Sequence, residues 1–255
     1  TWFRKYLSHS KRDNKIEADA ANRTGDCFFQ NRQYDQAIEY YTKAQQLNSY
    51  DPDYALFQIA LCYGLKRDFE SKKIQLNKLT EQYKRSSFVD DAYYEIARTH
   101  ERTGNIDQAI ETYKQLINQQ PNSNFISKAR LQLGLIYYNR SENNQSLDNY
   151  KKIVENYPAS EEAKAALIGI KNNYVDMNNV DGYFTYVNNL GGVATVSVNE
   201  QDSIFYMAAE KSYMENDPNA GQQLETYLQR YPDGSFKTNA TFYLAEHLYA
   251  KGEYS

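Results

Sequence analysis

The side chains that could carry out catalytic or metal chemistry are few in this sequence and lie far apart. Its three histidines, His9, His100 and His247, are too widely separated for a sequence-local metal site. The metal motifs C-x-x-C and H-E-x-x-H do not occur, and G-x-x-x-x-G-K and G-x-G-x-x-G, which bind phosphates, are also missing. Acidic residues form surface singles and pairs such as Asp90-Asp91, with no sign of a catalytic carboxylate pair. We therefore predict that the protein is not an enzyme and holds no metal or cofactor.

Composition narrows the class of partner. The net charge is −4 and basic residues are scattered, as in Lys66-Arg67, whereas a nucleic-acid surface needs a basic stripe. No run approaches the roughly 20 apolar residues of a membrane-spanning helix. The 25 tyrosines suit a contact surface, because the ring packs while the hydroxyl stays available to water or a partner. We expect the partner to be a protein or peptide, with no nucleic acid and no direct transmembrane segment.

The elements that position such a surface are helices, shown most clearly by the stretch Asp90–Pro121. A first helix is predicted by four residues spaced i, i+3, i+4 and i+7, which are Tyr93, Ile96, Ala97 and His100. Ser86 or Ser87 is expected to cap its start. Gly104 is expected to end it in the left-handed conformation. On this packing face His100 is predicted to be a half-buried, hydrogen-bonded histidine and not a metal ligand.

A second helix follows directly. Asn105 is expected to cap it, with Gln108 three residues later in capping-box spacing, and Pro121 stops it. Its apolar stripe consists of Ala109, Ile110, Tyr113, Leu116 and Ile117. The small Ala97 and Ala109 are expected where the two helices cross, because small side chains allow close approach.

This two-helix pattern recurs along the chain. Ile96-Ala97 has counterparts at intervals of 35 or 37 residues, or twice 37, at Thr24-Gly25, Ile59-Ala60, Leu133-Gly134, Met207-Ala208 and Leu244-Ala245. Ala109 recurs as Ala37 and Ala220, Tyr113 as Tyr41 and Tyr150, and Pro121 as Pro158 and Pro232. A fixed period in the mid-thirties with two helices per unit predicts a helical-repeat solenoid, with an ordinary helical bundle as the alternative.

The cysteines fit the same register. Cys27 and Cys62 occupy equivalent places in the first helices of adjacent repeats. Neighbouring helices lie about 8–10 Å apart, which is too far for an unstrained disulfide. Both are therefore predicted to be reduced thiols, and they do not indicate the compartment.

These features resemble the tetratricopeptide repeat (TPR) family. The resemblance rests on the small residue of the first helix, an Ala early in the second helix, the Pro at its end, and an aromatic residue three positions after the small one, at Phe28, Tyr63 and Tyr137. It implies an all-α fold, a right-handed α-α superhelix of about six to seven helix pairs. The turns Tyr157–Ser160 and Tyr231–Ser235 are similar to those of the bacterial envelope branch, which includes outer-membrane-assembly lipoproteins and Bacteroidetes repeat proteins. A periplasmic or outer-membrane-associated location is thereby implied, with a cytoplasmic one as the alternative.

The predicted organisation has three parts. Residues 1–190 form a TPR array, with an orphan helix in 1–12 followed by about five repeats. In the second repeat Lys72 replaces the expected Ala, so that helix pair is expected to splay. In the degenerate fifth repeat Lys171 and Tyr183 replace both small residues.

Residues 191–198 are predicted to be a non-helical linker, because two glycines precede an alternation of Val with Ala, Thr and Ser. The linker is either a hinge, a strand offered to a partner, or a packed loop. Residues 199–255 contain further repeats, starting at Asn199 as the cap and ending in a truncated one. Both ends look cut, so a fragment of a longer protein is expected.

The resemblance also implies where a partner binds, because in this family the first helices line an inner groove. The residues one turn before and after the small crossing residue are predicted to face it, namely Tyr54, Phe57, Tyr94, Arg98, Leu131, Tyr138, Phe205, Tyr213, Phe242 and Tyr249. Aromatic residues and Arg are enriched at binding hot spots. The alternative for each ring is packing against a neighbouring repeat. The family's carboxylate clamp uses Lys, Arg and Asn where Phe, Tyr and Leu occur here, so binding of chaperone tails is not predicted.

The function predicted from these observations is a non-enzymatic scaffold that binds a peptide or protein segment in a concave helical groove of the cell envelope. The alternative is an architectural or oligomerisation arm of a larger protein, and homo-oligomer formation is left open.

Overall fold

The computed structural model describes residues 13–252, and this part of the chain is all-α, with thirteen helices and no strand. The helices are α1 Asn14–Gln30, α2 Tyr34–Leu47, α3 Pro52–Leu65, α4 Phe69–Gln82, α5 Val89–Arg102, α6 Ile106–Gln119, α7 Ile126–Asn139, α8 Asn143–Asn156, α9 Glu161–Asp176, α10 Val180–Asn188, α11 Val198–Met214, α12 Ala220–Arg230 and α13 Lys237–Lys251. The predicted all-α repeat fold is confirmed. The orphan helix expected in residues 1–12 lies outside the described residues.

The chain divides into two compact units, residues 1–129 and residues 130–255, with the division inside α7. The first unit contains the antiparallel pairs α1–α2, α3–α4 and α5–α6. The second contains most of α7, which packs with α8, and then the pairs α9–α10 and α11–α12, followed by α13. In each pair the odd-numbered helix comes first, and we call α1, α3, α5, α7, α9, α11 and α13 the inner helices.

The turn inside each pair repeats one backbone conformation. Five of these turns have three residues, and each holds one left-handed residue with φ between 51° and 77°, at Arg32, Arg67, Gly104, Ser141 and Asn178. The sixth turn, residues 215–219, has five residues and holds Asn216 with φ 57°. Gly104 therefore ends its helix as predicted, and the recurrence marks the repeat as clearly as the small residues do.

Large side chains of the second helices fill the space that the small residues leave. One residue at the same place in every pair is at most 4% exposed, and the set is Tyr41, Leu76, Tyr113, Tyr150, Val187 and Leu224. A Cβ built on Gly25 would lie 2.6 Å from Tyr41 Cε1, and one on Gly134 would lie 2.4 Å from Tyr150 Cε1. Glycine is therefore required at both positions, because the backbone of the first helix packs directly against the tyrosine ring of the second helix.

The degenerate fifth repeat makes a close contact with the repeat before it, at Gly169. A Cβ on Gly169 would lie 2.4 Å from Tyr150 Cε2, so the ring of Tyr150 lies between the backbones of α7 and α9. Lys171, two residues later, is half-buried. The close approach at Gly169 therefore joins α9 to the preceding repeat, and it is a different contact from the crossing within the pair α9–α10 that was expected at position 171.

Lys72 does not splay the second repeat as expected. It is 7% exposed, and a Cβ built on Gly64 of α3 would lie 3.2 Å from its Cδ. Its ammonium forms an ion pair with Glu95 on α5, which itself is partly buried. The pair α3–α4 packs as extensively as α5–α6, because the aliphatic stem of Lys72 fills the crossing and its charge reaches the next repeat.

Two predicted helix caps are wrong, and a third, Asn105, holds the N-cap position without a capping bond. Phe88 precedes α5, and Ser86 Oγ accepts a hydrogen bond from the Phe88 amide at 3.1 Å, so Ser86 stabilises the turn. Asn105 precedes α6 but its side chain makes no capping bond. Ser197, not Asn199, caps α11, in a complete capping box with Glu200.

The segment 191–198 is non-helical up to Ser197, and Val198 begins α11. Gly191 and Gly192 have φ of 59° and 93°, values that favour glycine. Ala194 and Val196 pack against the core of the second unit. The segment is therefore a connecting loop packed on that unit, which is the third of the predicted alternatives.

Both cysteines are free thiols, as predicted. Cys62 is buried beside Ala55 and Ile59, and burial raises the pKa of its thiol to about 12. A thiol with so high a pKa is a poor nucleophile at neutral pH, so Cys62 is a packing residue.

Candidate polypeptide-binding groove

Two predicted groove residues of the first unit stack on an aromatic residue that immediately precedes the next inner helix. Phe57 lies 5.3 Å from Phe88, and Tyr94 lies 4.9 Å from Phe125, both in stacked geometry. Phe88 and Phe125 immediately precede the helices of successive repeats and therefore close over the inner helix before them. These rings hold neighbouring repeats together, which is the alternative that the sequence left open.

Tyr54 belongs to a polar cluster inside the first unit. Its hydroxyl and that of Tyr41 both donate to Asp26 Oδ1, at 2.6 and 2.7 Å. Burial first, and then the bond to Asp26, raise the pKa of both phenols. The cluster joins α1, α2 and α3, so Tyr54 is committed to the fold.

The predicted residues of the second unit are divided between its interior and its surface. Leu131 and Phe205 pack against the core that surrounds Ile170, and Tyr213 stacks on Tyr243 at 4.6 Å. Tyr138 lines a surface cavity described below. Phe242 and Tyr249 on α13 are 58% and 72% exposed.

Arg98 remains exposed on the first unit. Its guanidinium lies 5.9 Å from the ring of Tyr94 on the preceding turn of α5. Among the predicted groove residues of that unit, Arg98 is the most accessible to solvent or to a partner.

An open trench in the second unit runs between α9 and α11. These two helices point the same way, since α10 returns antiparallel between them. A cavity of about 480 Å³ is lined by both helices and by Tyr138 of α7. A second cavity of about 280 Å³ is lined by α9, α11 and the loop residues Thr195 and Val196. Met207 lines both cavities, which are therefore adjacent, and we call the two together the trench.

Apolar side chains lie open in this trench. Ile168 of α9 is 58% exposed, and Met207 and Met214 of α11 are 46% and 58% exposed. Leu135 on α7 is also 46% exposed, although it lines neither cavity. Met207 and Met214 lie two turns apart, about 10 Å along the helix. Large apolar side chains left this open on a folded protein indicate a contact surface.

Apart from Lys171 of α9, the charged side chains that line the trench have partners within the chain. The Lys211 ammonium forms an ion pair with Asp176 across the two helices, and it lies 3.7 Å from Glu215. Glu210 accepts a hydrogen bond of 2.6 Å from the Tyr206 hydroxyl. Burial, and next the Asp176 carboxylate, raise the pKa of Tyr138 to about 12, so its phenol is neutral at physiological pH. The trench therefore offers apolar contact with little unpaired charge.

Sequence reasoning missed Leu135, Ile168, Met207 and Met214. The register was set on the small crossing residue, and the fifth repeat lacks that residue at position 171, so no groove residue was assigned to α9. The sequence pattern that indicates such residues is an apolar side chain on an inner helix that lies outside the packed face of that helix, as Ile168 does. Met207 was counted as the residue preceding a small crossing residue, although α11 presents it to solvent.

The described residues hold no group of three or more potential metal ligands. His100 is half-buried, as predicted, but its Nδ1 accepts no hydrogen bond from any residue in 13–252, contrary to the prediction that it is satisfied. Burial, and then the Lys73 ammonium, lower its pKa. Among these residues no helix is long and apolar enough to cross a membrane.

The helix pairs, their three-residue turns and the small-residue crossings together define a helical-repeat protein of the two-helix class. Models of the tetratricopeptide repeat match residues 18–51, 54–86, 91–123 and 128–160, about half of the chain. The chain belongs to the tetratricopeptide repeat family.

Known proteins share this fold or part of the sequence. Over 107 residues the chain is 32% identical to heat shock protein STI1 of Saccharomyces cerevisiae, a stretch that is 40% of this chain and 18% of the yeast protein. The structure of YrrB, a TPR protein with an unusual peptide-binding site, superposes with a TM-score of 0.52 at 15% identity, over 89% of this chain and 97% of YrrB. A TPR protein of Parabacteroides merdae superposes with a TM-score of 0.55 at 14% identity, over 92% of this chain and 87% of its own. At these identities the two structures show the fold alone.

Proposed function

We propose that this protein is a non-enzymatic scaffold that binds a polypeptide segment in the trench between α9 and α11. The observation that carries the proposal is the row of exposed apolar side chains Ile168, Met207 and Met214 in a trench whose charged groups, apart from Lys171, have partners within the chain. Family membership supports the general mode of action, since YrrB has a peptide-binding site. The proposal differs from the aromatic groove expected from sequence, because most of those rings stack within the fold.

The segment that fits this trench is an amphipathic helix. Met207 and Met214 lie seven residues apart on one face, and helices that dock in grooves present anchors at i, i+3 or i+4, and i+7. Methionine side chains are flexible and adapt to the shape of such anchors. Burying the exposed part of each side chain contributes about 1 kcal/mol on an area basis. Recognition therefore depends on apolar anchors of the partner, and little on its charge.

Selection from a displayed library of random peptides tests this proposal. The full chain is the bait, and the selected peptides are then titrated against the native chain and against Ile168→Glu. The matched control is Ile74→Glu, because Ile74 on α4 is 62% exposed and lies in the other unit. We expect peptides with apolar residues in helical spacing that bind the native chain and Ile74→Glu but not Ile168→Glu. Peptides that bind all three proteins equally would place the site elsewhere.

An oligomerisation arm is the second candidate function. The surface of α13 favours it, because Phe242 and Tyr249 lie two turns apart and are largely exposed. Sedimentation at several concentrations tests this candidate. Self-association that is lost in Phe242→Ala but kept in Ile168→Glu would support it, and a monomer at every concentration would exclude it.

We also propose a location in the bacterial cell envelope. The support is the likeness of the turns Tyr157–Ser160 and Tyr231–Ser235 to those of the envelope branch. Immunodetection in fractionated cells of the source organism tests it, and recovery only with cytoplasmic marker proteins would refute it.

A further inference from the structure

The three methionines of the chain all lie on the surface of the unit 130–255. Met207 lines both cavities of the trench, and Met214 lines the larger one. Met177, in the turn after α9, is 39% exposed and lines neither of these cavities. Methionine is among the residues that are most often buried. Two thioethers are instead open to solutes at the place where the partner helix is proposed to bind.

Hydroperoxides convert an exposed thioether into a sulfoxide. The methionine sulfur attacks one peroxide oxygen, and the O–O bond breaks. The proton of the transferred hydroxyl moves to the departing oxygen, so hydrogen peroxide leaves as water. The sulfur gives up two electrons and the peroxide takes up two. Methionine sulfoxide reductases reverse the change.

The thiols of the chain do not compete for this role. Cys62 is buried, and burial raises the pKa of its thiol to about 12. Because the thiolate is the form that reacts with peroxides, Cys62 reacts slowly at neutral pH. Cys27 lies on α1, in the other unit, and is half-buried. Peroxide chemistry in the trench therefore belongs to the two thioethers.

A sulfoxide makes the trench unsuitable for an apolar anchor. Its oxygen is a hydrogen-bond acceptor, and burying it against an apolar side chain leaves it without a donor. Lys211, which lines the same cavity as Met214, is already held by Asp176. Oxidation of Met207 changes both cavities, because this side chain lines each of them. The affinity for the partner helix should therefore fall.

The fold itself should survive oxidation. Ile204 and Ala208 of α11 pack in one core of the unit, and Tyr206 and Ala209 pack in another. The helix is thus anchored by side chains that hydrogen peroxide does not oxidise. A methionine in a core would instead disrupt that core when it is oxidised. Loss of binding with the fold retained therefore distinguishes this effect from general oxidative damage.

We propose that hydroperoxides oxidise Met207 and Met214 and that the resulting sulfoxides release the helical partner. The loss of binding rests on the proposed function, whereas the oxidation rests on the exposure of the two side chains. The trench is thereby a binding site whose occupancy follows the level of peroxide, and repair by a reductase restores it.

Controlled oxidation of the full chain tests the proposal. The chain is treated with hydrogen peroxide and then with dithiothreitol to restore its thiols, and peptide-mapping mass spectrometry gives the sulfoxide fraction at each methionine. Calorimetry measures the binding of a library-selected peptide that contains no Met, Cys or Trp. We expect sulfoxide at Met207 and Met214 and an affinity lowered about tenfold or more, with a native circular dichroism spectrum. Treatment with methionine sulfoxide reductases should restore the binding.

Leucine variants provide the matched controls, because leucine is similar in size to methionine and has no sulfur to oxidise. The double variant Met207→Leu, Met214→Leu should keep its affinity for the peptide after peroxide treatment. Met177→Leu leaves both trench methionines in place, so it should lose affinity on oxidation as the native chain does.

Three results would overturn the proposal. One is that both trench methionines stay unoxidised while N-acetylmethionine amide in the same solution is fully oxidised. Another is native affinity of a chain that carries both sulfoxides. The third is an equal loss of affinity in the double leucine variant.

A failure of the proposed function shows separately, before any peroxide is added. It is seen as equal binding of the selected peptides to the native chain and to Ile168→Glu. That result would overturn the release of a partner from the trench, and the sulfoxide fractions would still decide the oxidation of Met207 and Met214.

Discussion

The ring of Tyr150 is held between two glycines, and Gly134→Ala should therefore destabilise the protein although alanine is the better helix former. A Cβ at position 134 would lie 2.4 Å from Tyr150 Cε1, where ordinary contacts lie at 3.4–4 Å. The ring would have to move by about 1 Å. It cannot move away, because the backbone of Gly169 faces its other edge at a distance that would place a Cβ 2.4 Å from Cε2.

The expected magnitude is a balance of two effects. Overpacking of a core costs about 1–3 kcal/mol. Replacing a helical Gly by Ala gains about 0.5–1 kcal/mol. Gly134→Ala should then lower the free energy of unfolding by about 0.5–2 kcal/mol. Gly64→Ala is the matched control: its Cβ would meet the flexible stem of Lys72 at 3.2 Å, so the change should be neutral or stabilising by up to about 1 kcal/mol.

Urea denaturation followed by far-ultraviolet circular dichroism measures both changes. Repeating Gly134→Ala in a Tyr150→Leu background completes a double-mutant cycle, in which the smaller side chain should remove the penalty. If Gly134→Ala is as stable as the native chain while Gly64→Ala gains stability, the packing of Tyr150 between two backbones is refuted.

Three further predictions concern the first unit. Ala97→Trp should cost about 1–3 kcal/mol or more, because Ala97 is fully buried at a helix crossing, and an unchanged melting temperature would refute the repeat register. Glu95→Gln should destabilise by leaving the Lys72 ammonium unpaired, whereas Lys72→Met should be close to neutral; equal losses by urea denaturation would contradict this. Burial and Lys73 lower the pKa of His100, so its contribution to stability is complete above about pH 6.5 and is lost as the pH falls through the lowered pKa. His100→Gln should flatten that dependence, and an unchanged stability–pH curve would contradict the assignment.

The repeat architecture could be read from sequence because it rests on local rules. A small residue is needed wherever helix backbones approach, and an aromatic or aliphatic residue four positions after the second small residue fills the space beside it. Gly134 with Tyr150 meets both requirements. The buried residue of the second helix returns in every pair, whereas the small residue is replaced at Lys72, Lys171 and Tyr183. Even the degenerate fifth repeat keeps a buried Val187 at the required place.

The groove could not be read in the same way, because exposure depends on neighbours that sequence spacing does not show. Phe57 and Tyr94 have the spacing of groove residues, yet Phe88 and Phe125 cover them. Ile168 has no special spacing, yet no neighbouring side chain covers most of it.

One measurement tests the central claim most directly. It is the affinity of a library-selected helical peptide for Met207→Glu, compared with the affinity of the same peptide for the native chain and for Ile74→Glu. Calorimetric titration at one ionic strength supplies all three values. A glutamate in the trench must be desolvated against the apolar anchors of the peptide, which costs at least about 2 kcal/mol or roughly 30-fold in affinity. We predict that loss for Met207→Glu and native affinity for Ile74→Glu. Equal affinity for all three proteins would contradict the assignment of the trench as the binding site.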